Sequence, residues 1–381
     1  MKISIPKETH PKESRIPVIP PDVEKLVKLG AEVEMESGVG DSIRVADDDF
    51  IKAGAKMVKD RQAMLANAEM VLRLRPPAIE DVKILPAGCI HVSYLDPFFN
   101  KPLVEALAAQ GVNGICMEMI PRTTLAQKMD ALSSQASLGG YVAVIIASER
   151  LDKALPMMMT PAGTLAPARV FIIGAGVAGL QAIATAKRLG ARVEAFDTRP
   201  VVAEQVKSLG AKFVEIDLGD TGQTEQGYAK QLTPEQIALQ QEGMARHCAL
   251  ADIVITTAQV FGRKAPRIIT KEMVAGMRPG SLIVDMAVET GGNVEGSKLD
   301  EEVEINGVRI IGLGNLPGRV ASHASQMYSS NLRNLIEHFW NKETKTFELN
   351  LDDEIMQGCL ITQDKTIRSE MLRNAYSQEG K

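Results

Sequence analysis

Short apolar runs alternate along this chain with longer segments whose apolar positions recur at helical spacing. Through the first third the order is KISIP, DVEKLVKLG, AEVEME, DFIKAGA, AEMVLRLR, KPLVEALAAQG and GICME. Runs too short for a helix read as buried strands, and strands separated by helix-period segments predict parallel βαβ units. From residue 168 the rhythm resumes with ARVFIIG, ARVEAFD, KFVEI, ADIVITTA, SLIVDM and VRIIGL, which predicts a second doubly wound sheet. Between the two, Ala131 to Leu155 lacks proline and predicts a long helix that Gly139 and Gly140 weaken. Ser325 to Asn341 predicts another. The pattern therefore predicts an α/β protein of two Rossmann-like doubly wound domains joined by long helices. The first domain is discontinuous, residues 1–132 and 325–381, and the second is residues 133–324. The C-terminal tail is expected to return to the first domain, and the cleft between domains is the default ligand site.

Only the second pattern carries a glycine fingerprint. In GAGVAG, Gly174 turns the backbone out of its strand, Gly176 leaves room for a pyrophosphate, and Gly179 lets the next helix approach the sheet. The helix N-terminus then faces the phosphates, where free N–H groups and the dipole favour negative charge. Asp197 follows Gly179 by 18 residues and closes the second strand, where a carboxylate accepts ribose hydroxyls. A fixed carboxylate repels a 2′-phosphate, so the expected ligand is NAD(H). Arg199 is placed on the adenine or pyrophosphate side.

Composition narrows the class. The 381 residues suit two domains, and 48 acidic against 43 basic side chains give a formal charge of −5 without a basic run, which argues against nucleic acid. Four cysteines, Cys89, Cys116, Cys248 and Cys359, have no metal-ligand spacing, so no metal site and a reducing, cytoplasmic setting are expected. The longest apolar stretch, Tyr141 to Ala147, falls short of the about 20 residues that cross a bilayer. No direct membrane insertion is expected, and Met1 leads into KISIP without a targeting pattern.

Smaller features carry chemistry. Asp217 to Thr233 is polar and glycine-bearing where a short connection is expected, and it reads as a mobile lid containing Tyr228. His91 sits in a strand-like alternation, and His323 stands just before a helix. His10, His247 and His338 form no metal-ligand pattern. The run Met157 to Met159 reads as core packing.

The opening IPKETHPKESRIPVIPPDVEKLVKLGAEVEMESGVG, the fingerprint segment and MRPGSLIVDMAVETGGN (Met277 to Asn293) resemble two related families. These are alanine dehydrogenase and the NAD(H)-binding component of Re/Si-specific, proton-translocating nicotinamide nucleotide transhydrogenase. PRTTLAQKMDALSSQASLGGY (Pro121 to Tyr141) resembles the transhydrogenase segment around the nicotinamide, and MMMT (Met157 to Thr160) is also typical of that family. The resemblance implies that Arg122, Gln127, Asp130 and Ser133 position the ring, with an Arg122–Asp130 ion pair. It implies further cofactor contacts from Thr123, Thr124, Leu125, Val177 and Thr198, and from Gly227 and Tyr228 in a mobile loop like QGYAKQL (Gln226 to Leu232).

Where alanine dehydrogenase uses a lysine and a histidine, this chain has Arg75 and Asp96, and arginine is no ordinary base. Arg15 matches that family's carboxylate-binding arginine, but a salt bridge is the preferred role here. Hydride transfer between two nicotinamides needs no general base, and with one fingerprint the second nicotinamide is expected on another polypeptide. The resemblance implies two partners, an NADP(H)-binding domain and a membrane-spanning proton-channel domain. It also implies a homodimer lying peripheral to the cytoplasmic membrane through those partners.

Overall fold

Strands Ile90–Ser93, Asn113–Cys116, Ile253–Thr256 and Leu282–Asp285 are buried at every residue, as parallel strands covered on both faces must be. The structure is a computed structural model that describes residues 1–219, 221 and 232–378. It divides into two compact units, Met1–Gln135 with Gly318–Lys381, and Ala136–Pro317.

The first unit is built on an 8-stranded sheet in the order Thr366–Ile367, Leu360–Gln363, Asn113–Cys116, Ile90–Ser93, Met70–Leu72, Lys2–Ile5, Glu32–Glu36, Lys56–Val58. Pairing is parallel from Asn113–Cys116 to Lys56–Val58. The returning C-terminal strand Leu360–Gln363 joins antiparallel to Asn113–Cys116. Ile3, Ile5, Met35, Met70 and Leu72 form the core with Leu332, Leu335 and Ile336 from helix Ala321–Phe339.

The second unit is contiguous. Its 7-stranded sheet runs Lys212–Phe213, Arg192–Phe196, Arg169–Ile173, Ile253–Thr256, Leu282–Asp285, Val308–Gly312, Glu301–Ile305, parallel except for the last pair. Phe171, Ile173, Val254, Ile283 and Ile310 lie in its core. Strand Lys212–Phe213 is shorter than the apolar run KFVEI suggested.

Helix Ala131–Arg150 ends before Leu155 and runs through its glycines. A Cβ on Gly140 would stand 2.1 Å from the Ala178 carbonyl oxygen, and one on Gly139 would stand 3.2 Å from Met286 Cε. The glycines that weakened the helix signal are there because this helix packs closely against its neighbours. The expectation of no membrane-length apolar segment needs correcting. By length and composition, Ala131–Arg150 is the one helix among the described residues apolar enough to cross a bilayer. Its leucines, valines and isoleucines, with the alanines, supply that hydropathy, and half of it is buried within the fold.

A second correction concerns Met157 to Met159. They are 59%, 45% and 75% exposed, leading into and lining a two-stranded hairpin, Met158–Thr160 with Gly163–Leu165, rather than packing in a core. Three adjacent methionines suggest burial, but every residue of this ribbon faces outward.

Candidate functional site

The fingerprint turn shows why each glycine is needed. Gly174 has φ +96°, a left-handed conformation, and a Cβ there would lie 2.5 Å from Thr257 Oγ1. A Cβ on Gly179 would lie 1.8 Å from the Gly174 carbonyl oxygen, so only glycine lets helix Val177–Arg188 start so close to the strand. Gly176 differs: the nearest atom to its would-be Cβ is Arg199 Nη2 at 4.0 Å. That open space lies at the N-cap of a helix with no side-chain cap, where unpaired amides suit a phosphate. Val177, in the first turn, is 42% exposed.

Asp197 stands at the end of strand Arg192–Phe196 with its side chain 6% exposed. Its Oδ2 accepts from the Ala175 amide at 2.7 Å and from Arg199 Nη2 at 2.8 Å. Its Oδ1 accepts from the Arg199 amide and Nε, each at 2.9 Å. The hydrogen bond with Asp197 raises the Arg199 pKa despite the opposing effect of burial. The neighbouring Thr198 carbonyl accepts from Thr221 Oγ1 at 2.7 Å.

Three positioning residues escaped the sequence reading. Thr257 donates from Oγ1 to the Gly174 carbonyl at 3.1 Å, bracing the fingerprint turn. Asp285 is fully buried and accepts from the amides of Ala287, Asn293 and Val294. Asn293, also fully buried, binds both the amide and the carbonyl of Ala258 and the carbonyl of Pro266. Together they fix the loops beyond the carboxyl ends of two central strands, where open α/β sheets bind ligands. A buried aspartate and asparagine in DMAVETGGN were the only signal.

In the first unit, Ala126 and Met129 are fully buried and anchor the segment between Pro121 and helix Ala131–Arg150. Asn331 and Asn334 donate to the Lys128 carbonyl at 2.9 and 3.1 Å. The backbone is thus pinned while Arg122, Thr124, Leu125 and Gln127 are exposed and Thr123 is half-buried. Asp130 caps the helix: its carboxylate accepts from the Ser133 amide at 2.9 Å and from Ser133 Oγ at 2.6 Å. The expected Arg122–Asp130 ion pair is not formed. The Ser133 amide and hydroxyl claim that carboxylate instead.

Arg15, Arg75 and Glu13 form a closed cluster. Arg15 Nη2 lies 2.7 Å from Glu13 Oε2, which Arg75 Nε also meets at 2.7 Å, and Arg15 Nη1 donates to Gln135 Oε1 at 2.8 Å. Burial pushes the Glu13 carboxyl up, but the Arg15 hydrogen bond and both guanidinium charges overcome it and bring the pKa to about 2. The preferred salt-bridge role for Arg15 therefore holds. Asp96, at φ +49°, donates its amide to buried Glu118 at 2.7 Å.

His91 lies in strand Ile90–Ser93, fully buried, and burial, followed by the nearby Arg73 charge, pulls its pKa down to about 3. It stays neutral and serves no proton transfer near pH 7. His323 is exposed in the first turn of helix Ala321–Phe339. It borders a cavity of about 300 Å³ with Arg44 and Arg319, which contains none of the expected cofactor residues. His247 pairs with Glu194 at 2.8 Å and His338 with Asp353 at 3.0 Å. Among the described residues no group of acidic, histidine and cysteine side chains could hold a metal, and the four cysteines are buried free thiols. Gly227, Tyr228 and most of the expected lid lie outside the described residues. The lid segment is followed by helix Pro234–Leu250, which opens with a Thr233–Gln236 capping box.

Two family models match the chain: the alanine dehydrogenase/PNT N-terminal domain over residues 4–139 and the C-terminal domain over residues 143–370. An NAD(P) transhydrogenase subunit alpha chain of Rhodospirillum rubrum is 44% identical, covering 96% of this chain and 97% of its own length. The alanine dehydrogenase of Halomonas elongata is 30% identical, covering 86% of this chain and 84% of its own length. The crystal structure of transhydrogenase from Sinorhizobium meliloti matches with a TM-score of 0.86 and 42% identity, covering 96% of this chain and all of that one.

Proposed function

This chain belongs to the alanine dehydrogenase/PNT family, and from that premise we propose that it presents NADH for direct hydride transfer to NADP+ held on a partner domain. It is an NAD(H)-binding subunit of the alpha type of NAD(P) transhydrogenase, and alanine dehydrogenase is a more distant relative. The observation that carries the reading is the turn at Gly176, open to a pyrophosphate, beside Asp197 at the end of the second strand.

The side chains divide the work. The amides after Gly176 hold the phosphates, and Asp197 takes the adenosine ribose. Arg122, Gln127, Asp130 and Ser133 orient the nicotinamide, with Thr123, Thr124 and Leu125 beside them. Hydride moves between carbons with no proton transferred in the redox step, so orientation and exclusion of water replace acid–base chemistry. Arg15 and Arg75 support this over amino-acid oxidation. Both pair with Glu13, and His91, in strand Ile90–Ser93, is neutral and buried.

The reading extends to a membrane partner whose proton flow drives the exchange, so that this subunit lies peripheral to a membrane. It also extends to a homodimer, for which the exposed Met157, Met158, Met159 and Leu165 offer apolar surface. The test is stopped-flow measurement of hydride exchange between NADH and an NAD analogue. It should be rapid with an NADP-loaded partner domain and absent without one. Turnover of alanine with NAD alone would overturn the assignment.

A further inference from the structure

Asp197 has no acceptor position left for a ribose hydroxyl. A carboxylate offers about four lone-pair sites. Here Ala175 fills one, and the Arg199 amide, Nε and Nη2 fill the rest. Yet Arg199 Nη2 is also the nearest atom to the space above Gly176, at 4.0 Å from its would-be Cβ. One guanidinium therefore covers the ribose acceptor and borders the pyrophosphate space.

We infer that Arg199 is a positioning and specificity-determining residue that changes partner when the nucleotide binds. The ribose hydroxyls displace its side chain from Asp197, and the guanidinium passes to the pyrophosphate. The inference rests on the NAD(H) reading above and adds the exchange to it.

Physical chemistry favours a coupled exchange over simple release. With side chains only 6% and 13% exposed, neither the Asp197 carboxylate nor the Arg199 guanidinium can be left to water at little cost. The two ribose hydroxyls return to Asp197 the two side-chain hydrogen bonds it loses, and the pyrophosphate returns to Arg199 a bidentate anion. The Arg199 amide can stay on Oδ1 throughout. Discrimination follows from the same step. A 2′-phosphorylated ribose keeps only its 3′-hydroxyl with which to dislodge Arg199, and its phosphate would meet a carboxylate stripped of its counter-charge. Specificity for NAD(H) then depends on the pair, and not on Asp197 alone.

Adenosine and ADP-ribose separate the two halves of the exchange, because adenosine has the ribose diol and lacks the pyrophosphate. Calorimetric titration of the whole chain with each, and with NADH, should be made on the unaltered protein, R199A and R199K. In R199A adenosine should bind several-fold tighter, since nothing must be displaced. ADP-ribose should bind on the order of tenfold weaker through loss of a charge-assisted contact. R199K keeps the charge without the fork, so it should tighten adenosine and weaken ADP-ribose less. Thermal unfolding of each variant checks that the fold is kept, and R199K carries the test if R199A does not fold. Parallel change in both ligands, in either direction, or no change in either, overturns the exchange. Failure of the unaltered protein to bind NADH would instead overturn the underlying nucleotide reading.

Discussion

Ser133 returns to Asp130 twice, donating its amide at 2.9 Å and its hydroxyl at 2.6 Å to the two oxygens of one carboxylate. Two residues expected at the nicotinamide thus hold each other at the start of helix Ala131–Arg150. Replacing Asp130 by alanine should lower stability by about 1 kcal/mol through loss of the cap. Ser133→Ala, which keeps the amide bond, should cost less. Urea unfolding of the two variants checks the order, and equal losses would show that the carboxylate does not act as a cap.

The three fingerprint glycines should respond differently to one added methyl. Gly179→Ala places carbon 1.8 Å from a backbone oxygen, which overpacks the turn and should destabilise by about 1–3 kcal/mol or more while abolishing NADH binding. Gly174→Ala adds strain at φ +96° as well as a clash. Gly176→Ala meets nothing closer than 4.0 Å. It should fold with unchanged stability yet bind NADH weakly, because the methyl fills the pyrophosphate space. Thermal midpoints measured beside NADH fluorescence titrations distinguish the three.

Gln127 is exposed on a turn whose neighbours Ala126 and Met129 are fully buried. Gln127→Asn should therefore leave the fold intact and slow hydride transfer far more than it weakens NADH binding. Single-turnover rates and binding constants measured on the same preparation test this, and proportionate losses in both would contradict a ring-placing role.

Acid should act first on His91 and then, in an overlapping window, on Glu13. The folded pKa of His91, about 3, lies below its ordinary value of 6.5, so its contribution is complete above about pH 6.5 and is lost as pH falls from there. Its ring resonances should stay in the neutral position down to pH 5 by NMR. The Glu13 carboxyl falls from 4.5 to about 2 in the fold. Its contribution, about 3 kcal/mol, is present above about pH 4.5 and lost as pH falls toward 2. The stability gap between the unaltered protein and Glu13→Gln should narrow in acid, and a gap constant from pH 7 to pH 3 would show that the charge of Glu13 is immaterial.

If the exposed methionine ribbon joins two copies, Met159→Glu should shift sedimentation equilibrium toward monomer without changing the unfolding temperature of the protomer. A wild-type chain that sediments as a monomer at micromolar concentration would remove the dimer from the proposed function.

The parallel strands were legible because burial on both faces leaves an uninterrupted apolar run, as in IVIT and LIVD. Strand Glu301–Ile305 was not, since it is an edge strand and largely exposed. Leu360–Gln363 was foreseen only as a returning tail, because sequence periodicity does not name the strand it will pair with. The glycine roles were legible because steric exclusion is local. The buried carboxylates were not: Asp285, Glu118 and Glu13 are defined by partners distant in sequence or by desolvation, and neither leaves a periodic trace.

The return of Leu360–Gln363 to the edge of Asn113–Cys116 also orders events on the ribosome. Residues 136–317 contain every strand of their own sheet and can close as soon as they emerge. The other unit cannot, because two strands of its sheet, Leu360–Gln363 and Thr366–Ile367, follow residues 136–317 in the chain. Gly358, just ahead of them, sits so near Pro121 that an added Cβ would stand 3.0 Å from the proline Cδ, next to Arg122. The first unit's sheet is thus completed after the second unit's, and a stop codon near residue 350 would leave that sheet, and the loop beside it, unfinished.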